Sequence, residues 1–203
     1  YTLPKRQVAN GVIDAFIHVI EQYLTYPVYG KVQDRMAEGL LLTLIEEGPK
    51  AMVDPENYDV RATIMLSATL ALNGLISVGV PQDWATHRIG HQITALYGLD
   101  HAQTLAIILP ALMHVEQDEK HAKLLQYAKR VWNIVDEEDD EMTINAAIRC
   151  TREFFESLGV PCQLSAYNLP ESCIDELIDS MVENQMLPIG AHEDIDEFKL
   201  RRI

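Results

Sequence analysis

Apolar residues recur at helical spacing along nearly the whole chain, and this periodicity limits the possible folds more than any other feature. Within residues 9–24, one apolar stripe follows the i, i+3, i+4, i+7 pattern of a helix that packs on one side; it consists of Ile13, Phe16, Ile17, Ile20 and Leu24. Eight further segments show similar patterns. The predicted helices span residues 9–24, 32–47, 58–78, 84–97, 101–113, 120–135, 143–158, 171–184 and 194–203.

The sequence contains no alternating strand pattern, no glycine-rich phosphate loop and no internal repeat. We therefore predict an all-α fold. Such a fold lacks the strand–turn–helix unit that usually holds a dinucleotide. Residues 1–203 are expected to form a single helical domain, because a chain of this length can bury one continuous core.

Local signals predict where several helices begin and end. Gly48-Pro49 is predicted to stop the second helix, because glycine and proline are typical of helix C-termini. Asp83 is predicted to be the N-cap of the helix over 84–97. Pro110 should bend or end the helix that contains it, since proline removes a backbone donor.

Two segments have extreme compositions. The segment 58–78 is apolar and rich in alanine, which predicts a central buried helix. The acidic run Asp136–Glu141 is predicted to be a solvated loop, because like charges repel one another.

The charge balance argues against several classes of partner. The formal net charge is -15, so neither a nucleic acid nor an anionic membrane is expected to bind. No apolar run approaches the roughly 20 residues of a membrane span, and the start shows no signal-peptide pattern. Cys150, Cys162 and Cys173 lie outside any metal-knuckle spacing, which favours reduced thiols in a cytoplasmic protein.

Three of the seven histidines, His87, His91 and His101, lie within fifteen positions. His87 and His91 share the polar face of the helix over 84–97. The opposite, apolar face contains Ile89, Ile93, Leu96 and Tyr97. His101 lies at a helix start and is expected to point inward, where each ring nitrogen needs a hydrogen-bond partner or a ligand.

The first predicted helix offers such a partner. Asp14 and His18 stand four positions apart, so they lie on one helix face, with Glu21 as a rival ligand on the same side. Burying these polar groups unpaired would be costly, and a divalent cation would satisfy them together. Spacing alone favours His87 and His91 as the helical pair of ligands.

Two long stretches, "NGVIDAFIHVIEQYLT" and "QDWATHRIGHQITALYGLDHAQTLAIILPAL", closely resemble the C-terminal helical domain of the iron-containing (group III) alcohol dehydrogenases. Other stretches are most similar to the NADPH-dependent, broad-range aldehyde reductase and butanol dehydrogenase branch: "QDRMAEGLLLTLIEEGPKAM", "PENYDVRATIM", "AKLLQYAKRVWNI" and "FFESLGVPCQLSAY". The resemblance covers essentially the whole chain and implies a dehydroquinate-synthase-like helical domain.

The resemblance also implies a metal site. In the family, the metal is bound by the Asp and His of Asp-x3-His and by two histidines fourteen positions apart. The corresponding ligands in this sequence are Asp14, His18, His87 and His101. His91 would lie beside them and act in substrate binding or proton transfer, while Glu21 would support a ligand or lie on the helix surface. The family name implies Fe²⁺, and Zn²⁺ is the alternative because both ions accept this ligand set.

The family's other half is an α/β nucleotide-binding domain that precedes the helical domain, and this chain lacks it. The resemblance therefore implies a fragment of a two-domain, NADP(H)-dependent enzyme that acts on a small aldehyde or alcohol; the start at Tyr1 rather than at a methionine agrees. The fragment alone is expected to be inactive, and the whole enzyme could form a homodimer. Trp84 is a candidate for lining the substrate pocket, whereas most cofactor-binding residues are expected on the missing domain.

Two other functions remain open at this stage. Helical metal-dependent phosphohydrolases also use histidine and aspartate clusters, but they commonly carry an adjacent His-Asp pair, whereas this chain has Asp100-His101. A non-enzymatic helical interaction module would leave the histidines unexplained. An NADPH oxidation assay with short aldehydes, set against a phosphatase screen, distinguishes the three functions.

Overall fold

A computed structural model describes residues 1–135 and 139–203 of the chain, and helices dominate it. The α-helices are α1 (Lys5–Tyr23), α2 (Lys31–Val53), α3 (Tyr58–Leu72), α4 (Ala85–Tyr97), α5 (His101–Val115), α6 (His121–Arg130), α7 (Asp140–Ser157), α8 (Cys173–Glu183) and α9 (Glu197–Leu200). A short 3₁₀ helix spans Leu164–Tyr167, and one isolated bridge joins Ile189 to Ile195. The described residues contain no β-strand, so the all-α prediction is confirmed.

Helix α1 lies at the centre of the main core and packs against α2, α3 and α5. Its apolar stripe is buried as predicted, and Phe16 contacts Phe154 and Phe155 of α7. Helix α5 separates this core from a second one, because its apolar residues face both sides. The second core joins α4 and α8 to the C-terminal segment, with Ile89 and Ile93 buried in it. Leu96, which the helical wheel assigned to the apolar face, is 42% exposed.

Two helices continue through a predicted breakpoint: Gly48-Pro49, predicted to end its helix, and Pro110, predicted to bend or end its helix. Helix α2 passes Gly48-Pro49 and ends at Val53, so the predicted stop is wrong. A Cβ atom at Gly48 would lie 2.9 Å from Val12 Cγ1, which shows that the glycine permits close packing of α2 on α1. Helix α5 likewise continues past Pro110 for another turn, so this proline does not end it.

Helix α3 was predicted to be long, central and buried, but it is shorter and largely exposed. It ends at Leu72, and Gly74 follows with φ of +85°. Only Val60, Ser67 and Ala71 are buried along it. Its outer side forms an apolar stripe, which we call the α3 stripe, consisting of Tyr58, Met65, Leu66 and Leu72.

The last predicted helix is also much shorter, because α9 spans only four residues and turns follow it. The acidic run predicted to be a loop is helical in part: Asp139 caps α7 by accepting from the Met142 N–H at 2.7 Å, and α7 begins at Asp140. Residues 136–138 of that run lie outside the described residues. Among the described helices, none has both the length and the apolar character that crossing a membrane requires.

Candidate metal centre

Helix α1 contributes Asp14 and His18 to one end of the fold. The His18 Nδ1–H donates to the backbone oxygen of Asp14 at 2.8 Å, and the same nitrogen lies 3.6 Å from Asp14 Oδ1. Because Nδ1 is the donor, the other ring nitrogen of a neutral His18 carries a free lone pair.

Helix α4 brings His87 to the same place through an unusual start. Trp84 precedes the helix with φ of 63°, in the left-handed region that few non-glycine residues adopt. Asp83 was predicted to be the N-cap, but it lies one residue farther from the helix, where its Oδ1 accepts from the Ala85 N–H at 2.9 Å. His87 is therefore on the first turn of α4, and its side chain is buried.

His101 is the first residue of α5, and several side chains fix this helix start. Asn10 and Gln7 of α1 donate to Asp100 Oδ2 at 2.9 and 3.3 Å, and Arg6 lies 3.1 Å from the same oxygen. Gln103 accepts from the Asp100 N–H at 3.2 Å, a helix-capping contact. Sequence reasoning missed this network, although the Asp-x2-Gln pattern beginning at Asp100 was a visible signal for a cap.

One potential ligand atom from each of Asp14, His87 and His101 lies within 4.8 Å of the other two. His101 Nε2 is 3.5 Å from Asp14 Oδ1. Asp14 Oδ1 and His87 Nε2 are buried and have no hydrogen-bond partner. Unpaired buried polar atoms are costly, and a divalent cation at their common point would satisfy both. The donor set, two imidazoles and a carboxylate with a third imidazole nearby, suits Fe²⁺ or Zn²⁺.

Two further histidines, His18 and His91, border this trio. The His18 ring centroid lies 4.3 Å from that of His87, so His18 adjoins the trio without contributing to its three converging ligand atoms. His91 stacks on His101 with ring centroids 4.8 Å apart, and it is exposed. The geometry therefore pairs His87 with Asp14 and His101, whereas His91, which spacing alone had favoured, lies at the edge.

Two aromatic residues near α4 have different positions. The Trp84 ring centroid lies 5.8 Å from His18 and 5.4 Å from His87, so the indole borders the centre. Its Nε1–H donates to Gln82 at 2.7 Å. Tyr97, by contrast, packs against the second core and donates its hydroxyl to Glu176 at 2.6 Å.

Glu21 is buried between α1 and α4 rather than on the helix surface. Its Oε1 accepts from the Thr86 N–H at 2.5 Å, and its Oε2 is hydrogen-bonded to His87 Nδ1. Burial, followed by the nearby Asp83 carboxylate, raises the pKa of Glu21 to about 8. Both carboxyl oxygens of Glu21 already have hydrogen-bond partners, so Glu21 is not one of the converging ligands.

Burial also acts on the histidines. It lowers the pKa of His87 to about 4, with the neighbouring His18 as a second cause, and it lowers the pKa of His101. Neutral imidazoles keep a lone pair for a cation, so this environment holds His87 and His101 in the form that binds metal.

A sequence profile supplies the observation that decides the family. The profile described as "Fe-containing alcohol dehydrogenase family, C-terminal" matches residues 8–196. The chain belongs to the iron-containing alcohol dehydrogenase family.

Individual iron-containing alcohol dehydrogenases match over almost the whole chain. The NADPH-dependent aldehyde reductase YqhD of Escherichia coli (strain K12) is 63% identical over 203 residues, which are 100% of this chain and 52% of that protein. A probable NADH-dependent butanol dehydrogenase of Bacillus subtilis (strain 168) is 38% identical over 91% of this chain and 48% of its own length. The chain thus spans about half the length of these relatives.

A solved structure of the same family has the same fold. The substrate- and cofactor-free form of the E. coli aldehyde reductase YqhD superposes with a TM-score of 0.97 and 61% identity, covering 100% of this chain and 53% of that one. The helical fold is therefore that of the C-terminal part of the iron-containing alcohol dehydrogenases, and both the family and the fold predictions are confirmed.

Proposed function

We propose that this chain is the metal-binding half of an NAD(P)H-dependent alcohol dehydrogenase or aldehyde reductase, and that the whole enzyme uses NADPH to reduce small aldehydes. One observation carries the proposal: in a member of the iron-containing alcohol dehydrogenase family, Asp14, His87 and His101 converge on a point where two buried polar atoms have no partner. NADPH is favoured because the 63% identical relative is named for it, while the 38% identical relative is named for NADH.

The metal ligands in this proposal are Asp14, His18, His87 and His101. Fe²⁺ is the favoured ion, with Zn²⁺ as the alternative. When bound, the ion supplies Lewis-acid chemistry that polarises the substrate oxygen. Asp14 contributes the negative charge of the ligand set, and the low pKa of His87 keeps a lone pair available near neutral pH.

His91 and Trp84 act on the substrate in this proposal. The exposed His91 ring, stacked on His101, is placed to pass a proton to the oxygen that becomes the alcohol hydroxyl. Trp84 presents its indole beside His18 and His87, where it limits the width of the substrate pocket.

The preceding half of the enzyme would bind the nicotinamide, because the described residues of this helical half contain no strand–turn–helix unit. We infer that residues 1–203 form one helical domain of a two-domain protein. The apolar α3 stripe supports this inference, since a large exposed apolar face usually contacts a partner. The three cysteines are free thiols, which supports a cytoplasmic location.

Metal analysis combined with an activity assay tests the proposal. The purified natural-length protein should contain about one equivalent of Fe or Zn and should oxidise NADPH in the presence of short aldehydes. His101→Ala should lose both the metal and the activity. An active enzyme whose His101→Ala variant keeps its full metal content would contradict the ligand assignment.

A further inference from the structure

Glu21 is an ionisable side chain in a place where ionisable side chains are rare. It is 2% exposed and lies between Ile20 and Leu24, the last two residues of the apolar stripe. Burying a carboxyl group is costly unless specific partners compensate for the lost water. The partners of Glu21 lie 65 and 66 residues away in the sequence, so this compensation depends on the folded structure.

Glu21 holds the start of α4 at two points, one through its carboxyl group and one through its backbone oxygen. Helix α4 has no side-chain cap hydrogen bond from its own N-cap residue, Trp84. Glu21 Oε1 instead accepts the Thr86 N–H, one of the first-turn donors that a helix leaves unpaired. The backbone oxygen of Glu21 also accepts from the Asp83 N–H at 2.8 Å. One residue of α1 therefore fixes the position from which His87 projects.

His18 and His87 orient their rings in different ways. His18 lies within α1, so its Nδ1–H can donate to the backbone oxygen four residues earlier, that of Asp14. His87 is on the first turn of α4, and the residue four positions earlier, Asp83, precedes the helix. Glu21 Oε2 provides the acceptor for His87 that the helix backbone provides for His18.

We propose that Glu21 is a positioning residue, whose carboxylate accepts the Nδ1–H of His87 and thereby keeps the Nε2 lone pair directed at Asp14 and His101. In a neutral imidazole one nitrogen donates and the other accepts, so an acceptor at Nδ1 selects the form with a free lone pair at Nε2. His87 Nε2 is the buried atom without a partner. This inference rests on the proposed metal site, and carboxylates that orient metal-bound histidines are a common arrangement.

A glutamine at this position has almost the same shape but cannot make both contacts. Its amide has one acceptor and one donor, whereas the Thr86 N–H and the His87 Nδ1–H both require an acceptor. If the amide oxygen faces Thr86, the amide NH₂ faces Nδ1 and favours the proton on Nε2, which removes the metal-binding lone pair. In the other orientation, the NH₂ group opposes the Thr86 N–H.

Zinc affinity of the natural-length protein tests the inference without relying on activity. Glu21→Gln should weaken Zn²⁺ binding about 10- to 100-fold in competition with a chelator. Glu38→Gln is the matched control: Glu38 is also buried, but it binds Tyr23 and Arg130 away from the centre. Glu38→Gln should destabilise the fold and leave the zinc affinity unchanged.

A second measurement needs no folded variant: it determines which ring nitrogen of His87 carries the proton. In metal-free wild-type protein, ¹⁵N NMR of labelled histidine should place the His87 proton on Nδ1, the nitrogen that faces Glu21. A proton on Nε2, or a Glu21→Gln protein that binds Zn²⁺ as tightly as wild type, would overturn the role of Glu21. Wild-type protein that binds no metal, with the proton on Nδ1, would instead reject the proposed metal function and leave the Glu21–His87 contact intact.

Discussion

Among the imidazoles of the candidate centre, His91 is the exposed one, and this suits proton transfer better than metal binding. Its ring contacts His101 by stacking, and solvent reaches it directly. We expect His91→Asn to keep the metal and to lower kcat by about 100-fold, because a general acid or base contributes roughly 10²–10⁴ to a rate. Metal content and kcat of the natural-length enzyme measure the two effects.

The control for this experiment is His121→Asn. His121 is an exposed histidine on α6, 3.5 Å from Asp140 and outside the candidate centre. The control should change neither metal content nor kcat. Unchanged turnover in His91→Asn would remove this residue from the proposed mechanism.

The Asp83–Lys120 ion pair, which sequence reasoning missed, is fully buried. The two charged atoms lie 2.6 Å apart, and the side chains are 1% and 3% exposed. Asp83→Asn would leave the Lys120 charge buried without its partner, so we expect a loss of about 3 kcal/mol in unfolding free energy. Denaturant titration measures this loss. Glu47→Gln, which breaks the exposed pair with Lys50, should produce no measurable change.

The Asp83–Lys120 ion pair also predicts how the stability lost in Asp83→Asn depends on pH. Burial raises the pKa of Asp83, but the Lys120 ammonium and the hydrogen bonds that Asp83 accepts outweigh it and hold the pKa below 3.8. A carboxyl group with a lowered folded-state pKa stabilises the fold above its unfolded pKa, and this contribution disappears as the pH falls through the folded value. The stability difference between wild type and Asp83→Asn should therefore be constant from pH 5 to 7 and shrink below about pH 3.8. A difference that persists at pH 2 would contradict this.

At the scale of helices, the distance between α4 and α5 determines whether His87 and His101 can meet. Gly90 allows a close approach: a Cβ atom there would lie 2.8 Å from Leu105 Cδ2 and 2.9 Å from Thr104 Oγ1. We expect Gly90→Ala to cost about 1–3 kcal/mol in unfolding free energy, as overpacking typically does. It should also weaken metal binding, because it separates two ligand-bearing helices.

Gly39→Ala is the control for this substitution. Gly39 lies within α2, and a Cβ atom there would meet nothing within 4 Å. Alanine at such a helical position typically adds about 0.5–1 kcal/mol of stability. Thermal unfolding of both variants, with zinc affinity, separates the packing effect from the general effect of alanine on helices. Equal behaviour of the two variants would contradict the role of Gly90.

Helix existence could be read from the sequence better than helix ends could. The apolar stripe of α1 was predicted correctly, because burial on one side imposes a periodic pattern. Gly48-Pro49 misled because a glycine has two uses, and here it allows close packing instead of ending a helix. Pro110 does not end α5, because packing on both sides of a helix can outweigh a local preference.

Residue types and spacing indicated the segments that meet at the candidate centre, and only the family resemblance named Asp14, His18, His87 and His101 as the ligands. Spacing on one helix favoured His91, whereas the fold brings His87 to Asp14 and His101. Glu21 and His87 are 66 residues apart in the sequence, yet their side chains are hydrogen-bonded. Helical spacing rules relate residues of one helix only, so they could not predict this contact. Sequence patterns within one helix therefore carried less information about the centre than the packing of three helices.

At the scale of the whole molecule, helix α3 has an apolar outer face that the described residues leave exposed. Its composition predicted burial, yet Met65 and Leu66 are 71% and 61% exposed. The Gln22 side chain of α1 donates to the Ala71 oxygen of α3 at 2.7 Å and to the His18 oxygen at 2.6 Å. The C-terminal end of α3 thus lies beside the α1 segment that carries His18. Under the proposed function, the nucleotide-binding half of the enzyme would pack on the α3 stripe and cover Met65 and Leu66.

This interpretation predicts that Met65 is protected in the natural-length protein. Hydrogen peroxide oxidises exposed methionines, so Met65 should react slowly there if the preceding half covers the α3 stripe. Met142, 45% exposed on α7, is the internal control and should react readily. Peptide mass spectrometry after a timed exposure gives both rates. Protection that disappears on dilution would indicate a second copy of the protein as the cover, and equal rates at both methionines would show that the stripe is open to solvent.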